Sequence, residues 1–410
     1  MSWHTCVCGL DVHRSSLVTC LLRGSPGEPS TRIERRFGTT FTDLNNLKAW
    51  LLEEHCEVLG MEATGVFWKP LHRTLEGEMR VVVANPAHVK AILGHKTDRH
   101  DASWLAGKIR EDGIPPSFIP APEIRKGRDP ARLHGNLVRA KTQAKNQTLK
   151  LLASIGLPLS SVLSDVFGQT GMGILKALSQ GTTAWSALEG ELRGKTKAHA
   201  ERIRMALEMP LIESERWQLG FQLQRLAALD AQVHEVDSCL KIWSEAYATE
   251  RTLLTTIPGI GELAAQLILA EIGTDLSAFP SARHFASWVG LAPANNETGG
   301  RMRPAGTRKG GKILRSVLVE CAQAASRTRG CHLRVKYQAL SHRMGSPKAK
   351  VAIAHKLALI IYRILVDNRP YKESETDLQT SETRARKLRK AVRIIEQLGG
   401  KVVIPSSHSR

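Results

Sequence analysis

Four carboxylates, Asp11, Glu62, Asp98 and Asp101, each stand beside an apolar segment able to hold them rigidly. Asp11 closes the run Cys6-Val7-Cys8-Gly9-Leu10, Glu62 follows Val58-Leu59-Gly60-Met61, and the last pair lies in Lys96-Thr97-Asp98-Arg99-His100-Asp101. Carboxylates delivered by two strand ends and one helix can gather around Mg2+ or Mn2+, and paired cations clamp the attacking and leaving oxygens of a phosphodiester. Taken singly, Asp11 or Glu62 is more simply a cap or a solvated residue. As a set they point to phosphoryl transfer, because a charge at the end of an apolar strand is costly unless a cation neutralises it. Small residues after Glu62 (Ala63-Thr64-Gly65) leave room for a substrate backbone, and no thiolate or imidazole cage competes for a softer metal. His13 and His100 beside the carboxylates read as solvated.

The elements that must carry these groups follow from periodicity. Residues 5–11 and 16–23 read as strands joined by a tight connection at Arg14-Ser15-Ser16, with a third strand around Ile33 to Phe37. A helix is expected from an N-cap at Thr42, returning into the strand Val58–Met61, and another at Phe67–Leu75 precedes the apolar run Val81–Ala84. This alternation predicts an α/β layer with Asp11 and Glu62 at carboxyl ends of strands, where such sheets place ligands. Helical spacing over Asp98–Arg110 puts Asp98 and Asp101 on one face. Pro115, Pro116, Pro120 and Pro122 then mark a boundary near residue 120.

Beyond it the chain reads as helical and basic, with a stripe of Leu133, Leu137, Ala140 and Ala144 beside Arg139, Lys141, Lys145 and Lys150. The apolar steps Leu219, Leu223, Leu226, Leu229, Val233, Val236 and Leu240 predict a long amphipathic helix, so residues 123–250 form a helical, coiled-coil-like arm. The stretch Ser160–Thr183 has no clear pattern. Ile257-Pro258-Gly259-Ile260-Gly261 before an Ala-rich helix is the pattern of a helix-hairpin-helix, whose Gly259 and Gly261 let amides approach a phosphate; a plain packing corner has the same pattern. A basic, glycine-rich loop follows, with Thr298, Arg301, Arg303, Arg308, Lys309 and Lys312 able to wrap a phosphate backbone. By itself it is only a flexible basic loop.

Composition bounds the partners. With 410 residues, 42% hydrophobic, the chain can bury two or three cores, and a net charge of +19 favours a phosphate-rich partner such as nucleic acid. Seven cysteines without metal spacing fit a reducing, cytoplasmic setting, and Cys6 and Cys8 fall on one buried strand face. No secretory segment is visible at the N-terminus, and His355, Lys356 and Arg363 interrupt the apolar stretch Val351–Val366, which is expected to be a packed helix rather than a membrane span.

Gly9-Leu10-Asp11, Gly60-Met61-Glu62-Ala63-Thr64-Gly65, Asn85-Pro86 and Lys96-Thr97-Asp98 with Asp101 resemble the N-terminal RuvC-like DEDD domain of a bacterial insertion-sequence transposase family. Ile257–Gly261, Ala270–Gly273, Phe279–Ala282, Trp288–Pro293 and Asn295-Asn296-Glu297 resemble its C-terminal, serine-type transposase domain. The resemblance runs from about residue 5 to about 372 in the family's order and spacing. It implies a RuvC/RNase H-like domain at 1–122, the helical arm at 123–250, a mainly helical transposase domain at 251–372, and a basic tail at 373–410. It further implies an RNA-guided site-specific recombinase that moves its own element. A structured noncoding guide RNA, the bridge or seek RNA, pairs with the element's DNA ends and target DNA. In such enzymes the DEDD cluster binds magnesium and a serine attacks DNA, giving a covalent protein–DNA intermediate and strand exchange through a Holliday junction. The arm supports a homodimer or homotetramer in which domains of different protomers share composite sites.

One position departs from the family. Glu-Ser-Gly is replaced by Glu297-Thr298-Gly299, so the hydroxyl is kept and a methyl crowds the attacking side chain. Thr298 is the best placed nucleophile, ahead of Ser287. Two other readings are a metal-dependent Holliday-junction resolvase-like nuclease and a non-catalytic nucleic-acid-binding protein.

Overall fold

A computed structural model describes residues 4–25, 30–63, 65–86, 89, 101–294, 297–298, 301–302, 306–307, 310–373, 392 and 395–400. The chain divides into two compact units, Met1–Ile119 and Pro120–Arg410. The first is a mixed α/β layer and the second is mostly helical.

The first unit is built on strands β1 (Cys6–Val12), β2 (Leu17–Arg23), β3 (Thr31–Phe37), β4 (Val58–Glu62) and β5 (Arg80–Ala84). Their order is β3-β2-β1-β4-β5, antiparallel from β3 to β1 and parallel from β1 to β5. Helices α1 (Phe41–Glu53) and α2 (Trp68–Leu75) cover one face, with Leu47, Trp50, Leu51, Leu71 and Leu75 packed on Cys6, Cys8, Leu10, Leu59 and Met61. Helix α3 (Asp101–Arg110) covers the other face, where Leu105, Ala106 and Ile109 pack on Val7, Val58 and Val82. Helix α1 starts two residues earlier than expected. Its cap is Thr40, which is extended and exchanges hydrogen bonds with Asp43 in a capping box; Thr42 lies within the first turn.

The second unit begins with α4 (Pro122–Ser154), so Pro122 starts a helix rather than breaking one, at a position where the missing N–H has no partner to lose. After four short helices, α5 (Leu159–Val162), α6 (Gln169–Ser179), α7 (Trp185–Glu189) and α8 (Ala200–Met205), comes α9 (Glu213–Ser244), which packs antiparallel along α4. Trp243 Nε1 donates to the Glu123 carbonyl (3.0 Å), His134 meets Asp237 (3.3 Å), Lys141 meets Asp230, and Arg225 donates to Gln147 (2.6 Å). The Leu219-to-Leu240 stripe of α9 is largely buried as its spacing predicts, but the α4 stripe is shifted. Ile124, Gly127, Ala131, Ala144, Thr148 and Leu152 face inward, while Leu133 is exposed. Gly127 is there because Trp243 lies flat on it; a Cβ would sit 2.3 Å from the indole.

The stretch with no clear pattern in sequence folds into a small lobe at the far end of this helix pair. Leu157, Leu159, Ile174, Leu175, Leu188 and Ile203 close around Leu152, Leu219 and Leu223. The rest of the unit is a helical cluster of α10 (Ala248–Thr255), α11 (Glu262–Ile272), α12 (Ala282–Trp288), α13 (Lys312–Ala325), α14 (His332–Met344) and α15 (Ser346–Asp367). Helix α15, the apolar stretch at Val351–Val366, is its centre: Ile353, Ala354, Leu357, Ala358 and Ile361 are fully buried and α10, α12, α13 and α14 pack around them. Among the described residues no helix is long and apolar enough to cross a membrane. Most of the basic stretch expected as a helix at 384–393, and the strand-like 401–404, lie outside the described residues.

Candidate active site

In the first unit, β1 and β4 are parallel neighbours paired Gly9↔Gly60 and Leu10↔Met61, which brings Asp11 and Glu62, each one residue further on, to the same carboxyl edge. Side chains alternate along a strand, so Val7, Gly9 and Asp11 share one face, as do Val58, Gly60 and Glu62. That face is the one covered by α3, since Val7 and Val58 belong to its core. Both glycines are notches for the helix. A Cβ on Gly9 would lie 2.0 Å from the Ala102 carbonyl oxygen and 2.5 Å from the Ala106 nitrogen, and one on Gly60 would lie 2.5 Å from Ile109. Helix α3 therefore rests its backbone on β1.

Its direction is fixed at both ends. Arg110, the last residue of α3, accepts from the His4 N–H (3.4 Å) at the start of β1, while Ala102 lies over Gly9. The N-terminus of α3, Asp101, accordingly falls at the edge that carries Asp11 and Glu62. Asp101 is described by its backbone, and Asp98 lies outside the described residues. Asp11 is 23% exposed and lies 2.9 Å from Nε2 of His13, which is exposed as its solvated reading expects and touches the carboxylate as well. Glu62 is half-buried. Among the described side chains no group of three or more His, Cys, Asp or Glu is positioned to hold a metal ion. The two carboxylates that are described offer hard oxygens, at a partly open edge, of the kind Mg2+ or Mn2+ takes.

The basic loop of the second unit contains a two-stranded ribbon, β6 (Glu297–Thr298) and β7 (Arg301–Met302), paired Glu297↔Met302 and Thr298↔Arg301. Thr298 and Arg301 are thus backbone partners. The base of the loop is fastened to the end of α12. Pro293 bridges Thr307, the Ala294 N–H donates to the Gly306 carbonyl (2.9 Å), and the Gly311 N–H donates to the Trp288 carbonyl (3.2 Å). Gly310 packs backbone to backbone on Gly290. Lys312 is exposed in the first turn of α13; Arg303, Arg308 and Lys309 lie outside the described residues.

The glycines of the Ile257–Gly261 turn differ in surroundings. Gly259, with φ +91°, fits against α13, where a Cβ would lie 2.5 Å from the Cys321 carbonyl oxygen and 2.6 Å from the Ala325 nitrogen. Its close backbone approach is to a helix. Gly261 is the N-cap of α11 with open space around its α-carbon, the side from which an anion can reach the helix start. At the other end of α11, Glu271 is buried and clamped by Arg128 (2.9 Å) and Arg132 (2.9 Å) of α4. Burial pushes the Arg128 guanidinium down from its ordinary value, while the hydrogen bond that Arg132 donates to Glu271 holds Arg132 up. The packing roles of this clamp and of the two strand glycines escape sequence reading, although Gly9, Gly60 and Glu271 lie in segments that carry the family resemblance. The only signal for the glycines is the repeated spacing Gly-apolar-acid in Gly9-Leu10-Asp11 and Gly60-Met61-Glu62.

Comparison with known proteins bears on both units. Residues 8–156 match a family model described as a DEDD-type transposase, and residues 251–338 match one described as transposase IS116/IS110/IS902 family. A candidate transposase of Sinorhizobium fredii, y4pF/y4sB, is 32% identical over 40% of this chain and 41% of its own length. The pilin gene-inverting protein of Moraxella bovis is 24% identical over 88% of this chain and 96% of its own. The transposase for insertion sequence element IS1111A of Coxiella burnetii is 25% identical over 70% of this chain and 72% of its own. The label serine-type does not suit the chain, whose residue at that position is Thr298. Through both matched segments, the chain belongs to the IS116/IS110/IS902 family of transposases, recombinases that act on DNA.

Proposed function

We propose that this transposase is an RNA-guided, site-specific recombinase that cleaves and rejoins DNA through a covalent intermediate on Thr298. The observation that carries the reading is the convergence of Asp11, Glu62 and the start of α3 on one sheet edge. The strand order β3-β2-β1-β4-β5 supports a RuvC/RNase H-like domain. Asp11, Glu62, Asp98 and Asp101 would hold Mg2+ or Mn2+, which supplies neutralisation of charge on the phosphodiester oxygens. The Thr298 hydroxyl attacks phosphorus, forming a phosphothreonine ester and releasing a deoxyribose hydroxyl; the reverse reaction reseals a strand. Gly261, Arg301, Arg303, Arg308, Lys309 and Lys312 contact phosphates, Gly259 shapes the turn that presents Gly261, and the charge of +19 suits both DNA and a structured guide RNA. The paired helices α4 and α9 form the arm through which a homodimer or homotetramer assembles.

Trapping tests the chemistry. Labelled element-end DNA is expected to stay attached to denatured protein for the parent and for Thr298→Ser. It is expected to be lost for Thr298→Ala, Asp11→Ala and Glu62→Ala. Release of free ends alone would instead support the resolvase-like nuclease, and recombination unchanged by Asp11→Ala with Glu62→Ala would remove the metal site.

A further inference from the structure

Three connections meet at the edge that carries Asp11 and Glu62. The β1–β2 turn runs through His13 and Arg14; β3 ends at Phe37 and hands over to α1 at Phe41; and the chain leaving Glu62 crosses the edge, from the α3 face to the α2 face, through Gly65, Val66 and Phe67. The first two are tied together, since the Thr39 hydroxyl donates to the Arg14 carbonyl (3.3 Å).

The large apolar side chains exposed in this unit, among the described residues, are Phe41 (76%), Leu52 (41%), Val66 (61%) and Phe67 (42%). Scattered single residues of this kind need no explanation, but three of these four stand on one edge. Only Leu52 lies elsewhere, at the far end of α1. Gly65, with φ +59°, makes the turn that raises Val66 and Phe67, and the Phe67 ring folds back against it. Arg14, Lys69 and Arg73 are exposed around the apolar tip, the last two one turn apart on α2, and the nearby acid Asp43 is bound into the α1 cap.

We propose that Phe41, Val66 and Phe67 form a base-contacting rim that holds unstacked bases of the DNA strand entering the carboxylate edge, with Arg14, Lys69 and Arg73 on its phosphates. The inference rests on the reading of that edge as the site of DNA strand transfer. A strand that brings a phosphodiester to Asp11 and Glu62 must cross this rim, and aromatic rings ringed by cations suit exposed bases better than another protein's surface. The rim is expected to act through positioning, keeping bases splayed so that the backbone can reach the carboxylates.

The test uses the full-length chain and a mixed-sequence DNA strand carrying one 2-aminopurine, alone or paired into a duplex. Base–aromatic stacking predicts that Phe41→Ala with Phe67→Ala weakens single-strand binding at least about fivefold and abolishes the change in 2-aminopurine fluorescence, while duplex binding shifts less than about twofold. Phe67→Trp is expected to keep both signals. Equal loss on single strand and duplex, no loss on either, or a change only in the sedimentation of the protein would overturn the rim; the last would assign the surface to a second copy of the chain. These readouts need no cleavage, so a parent chain that fails to cleave DNA would count against the recombinase reading and leave the rim to be decided by fluorescence.

Discussion

Replacing Gly9 by Ala adds one methyl group where the backbone of α3 already stands. The new carbon would lie 2.0 Å from the Ala102 carbonyl oxygen and 2.5 Å from the Ala106 nitrogen, and neither atom can swing aside as a side chain could. Relief to ordinary contact requires α3 to lift by about 1 Å or more, and overpacking of this kind costs about 3 kcal/mol, the upper end of the usual range. At a few degrees per kcal/mol, the unit's melting temperature is expected to fall by about 10 °C. The lift also carries Asp101 away from Asp11 and Glu62. A misplacement of about 1 Å near reacting atoms is worth roughly a hundredfold in rate, so strand cleavage measured well below the melting temperature should fall by that order. Gly107→Ala is the control. It lies in the same helix with open space around its α-carbon, and is expected to stabilise by up to about 1 kcal/mol through helix propensity alone. Calorimetry and single-turnover cleavage read the two effects separately. A Gly9→Ala protein that melts and cleaves like the parent would refute the notch as the device that positions α3.

Two further expectations concern buried and partly buried charge. Glu271→Ala leaves Arg128 and Arg132 facing each other without their shared carboxylate, which should cost about 3–5 kcal/mol and lower the melting temperature of the second unit by about 10 °C. Melting within about 2 °C of the parent would show the clamp to be dispensable. Glu57 is held below the usual carboxylate range first by the Thr5 hydroxyl and then by His4 and the Thr5 and Cys6 amides. A depressed folded value means that its stabilising contribution is present above the ordinary carboxylate range and is lost as pH falls through the folded value. The parent and Glu57→Gln should therefore differ most at neutral pH and converge in acid; a gap that widens in acid would contradict the sign.

The sheet was legible because its strands are apolar runs ending in turns, and Asp11 and Glu62 could be placed at carboxyl ends from that alone. Hidden from it was the packing that makes the placement useful. Gly9 and Gly60 look like ordinary strand glycines until α3 is laid across them. On α9 the repeat of leucines is plain in the sequence, whereas on α4 the stripe through Leu133 is not the inward one, because the inward positions are mostly small or polar: Gly127, Ala131, Ala144 and Thr148. The lobe around Ile174 and Leu175 was illegible for a different reason, since its helices are short and its leucines meet only through long-range packing. Glu271 in an apolar helix reads as a misfit until two arginines more than a hundred residues away are brought to it.

The clamp on Glu271 grips α4 on either side of Pro130, a residue that leaves the carbonyl four positions earlier without its helical donor. From Pro130 the helix continues to Ser154, a span of about 36 Å at the usual rise. A tilt of about 5° at the proline would carry the distal lobe through about 3 Å, because the helix acts as a pointer pivoted beside the second unit's main helical cluster. Small adjustments where α11 meets α4 are thereby magnified at the far end of the helix pair. A pair of distance labels on the lobe and on α15 would register, as a displacement, events too slight to see where they begin.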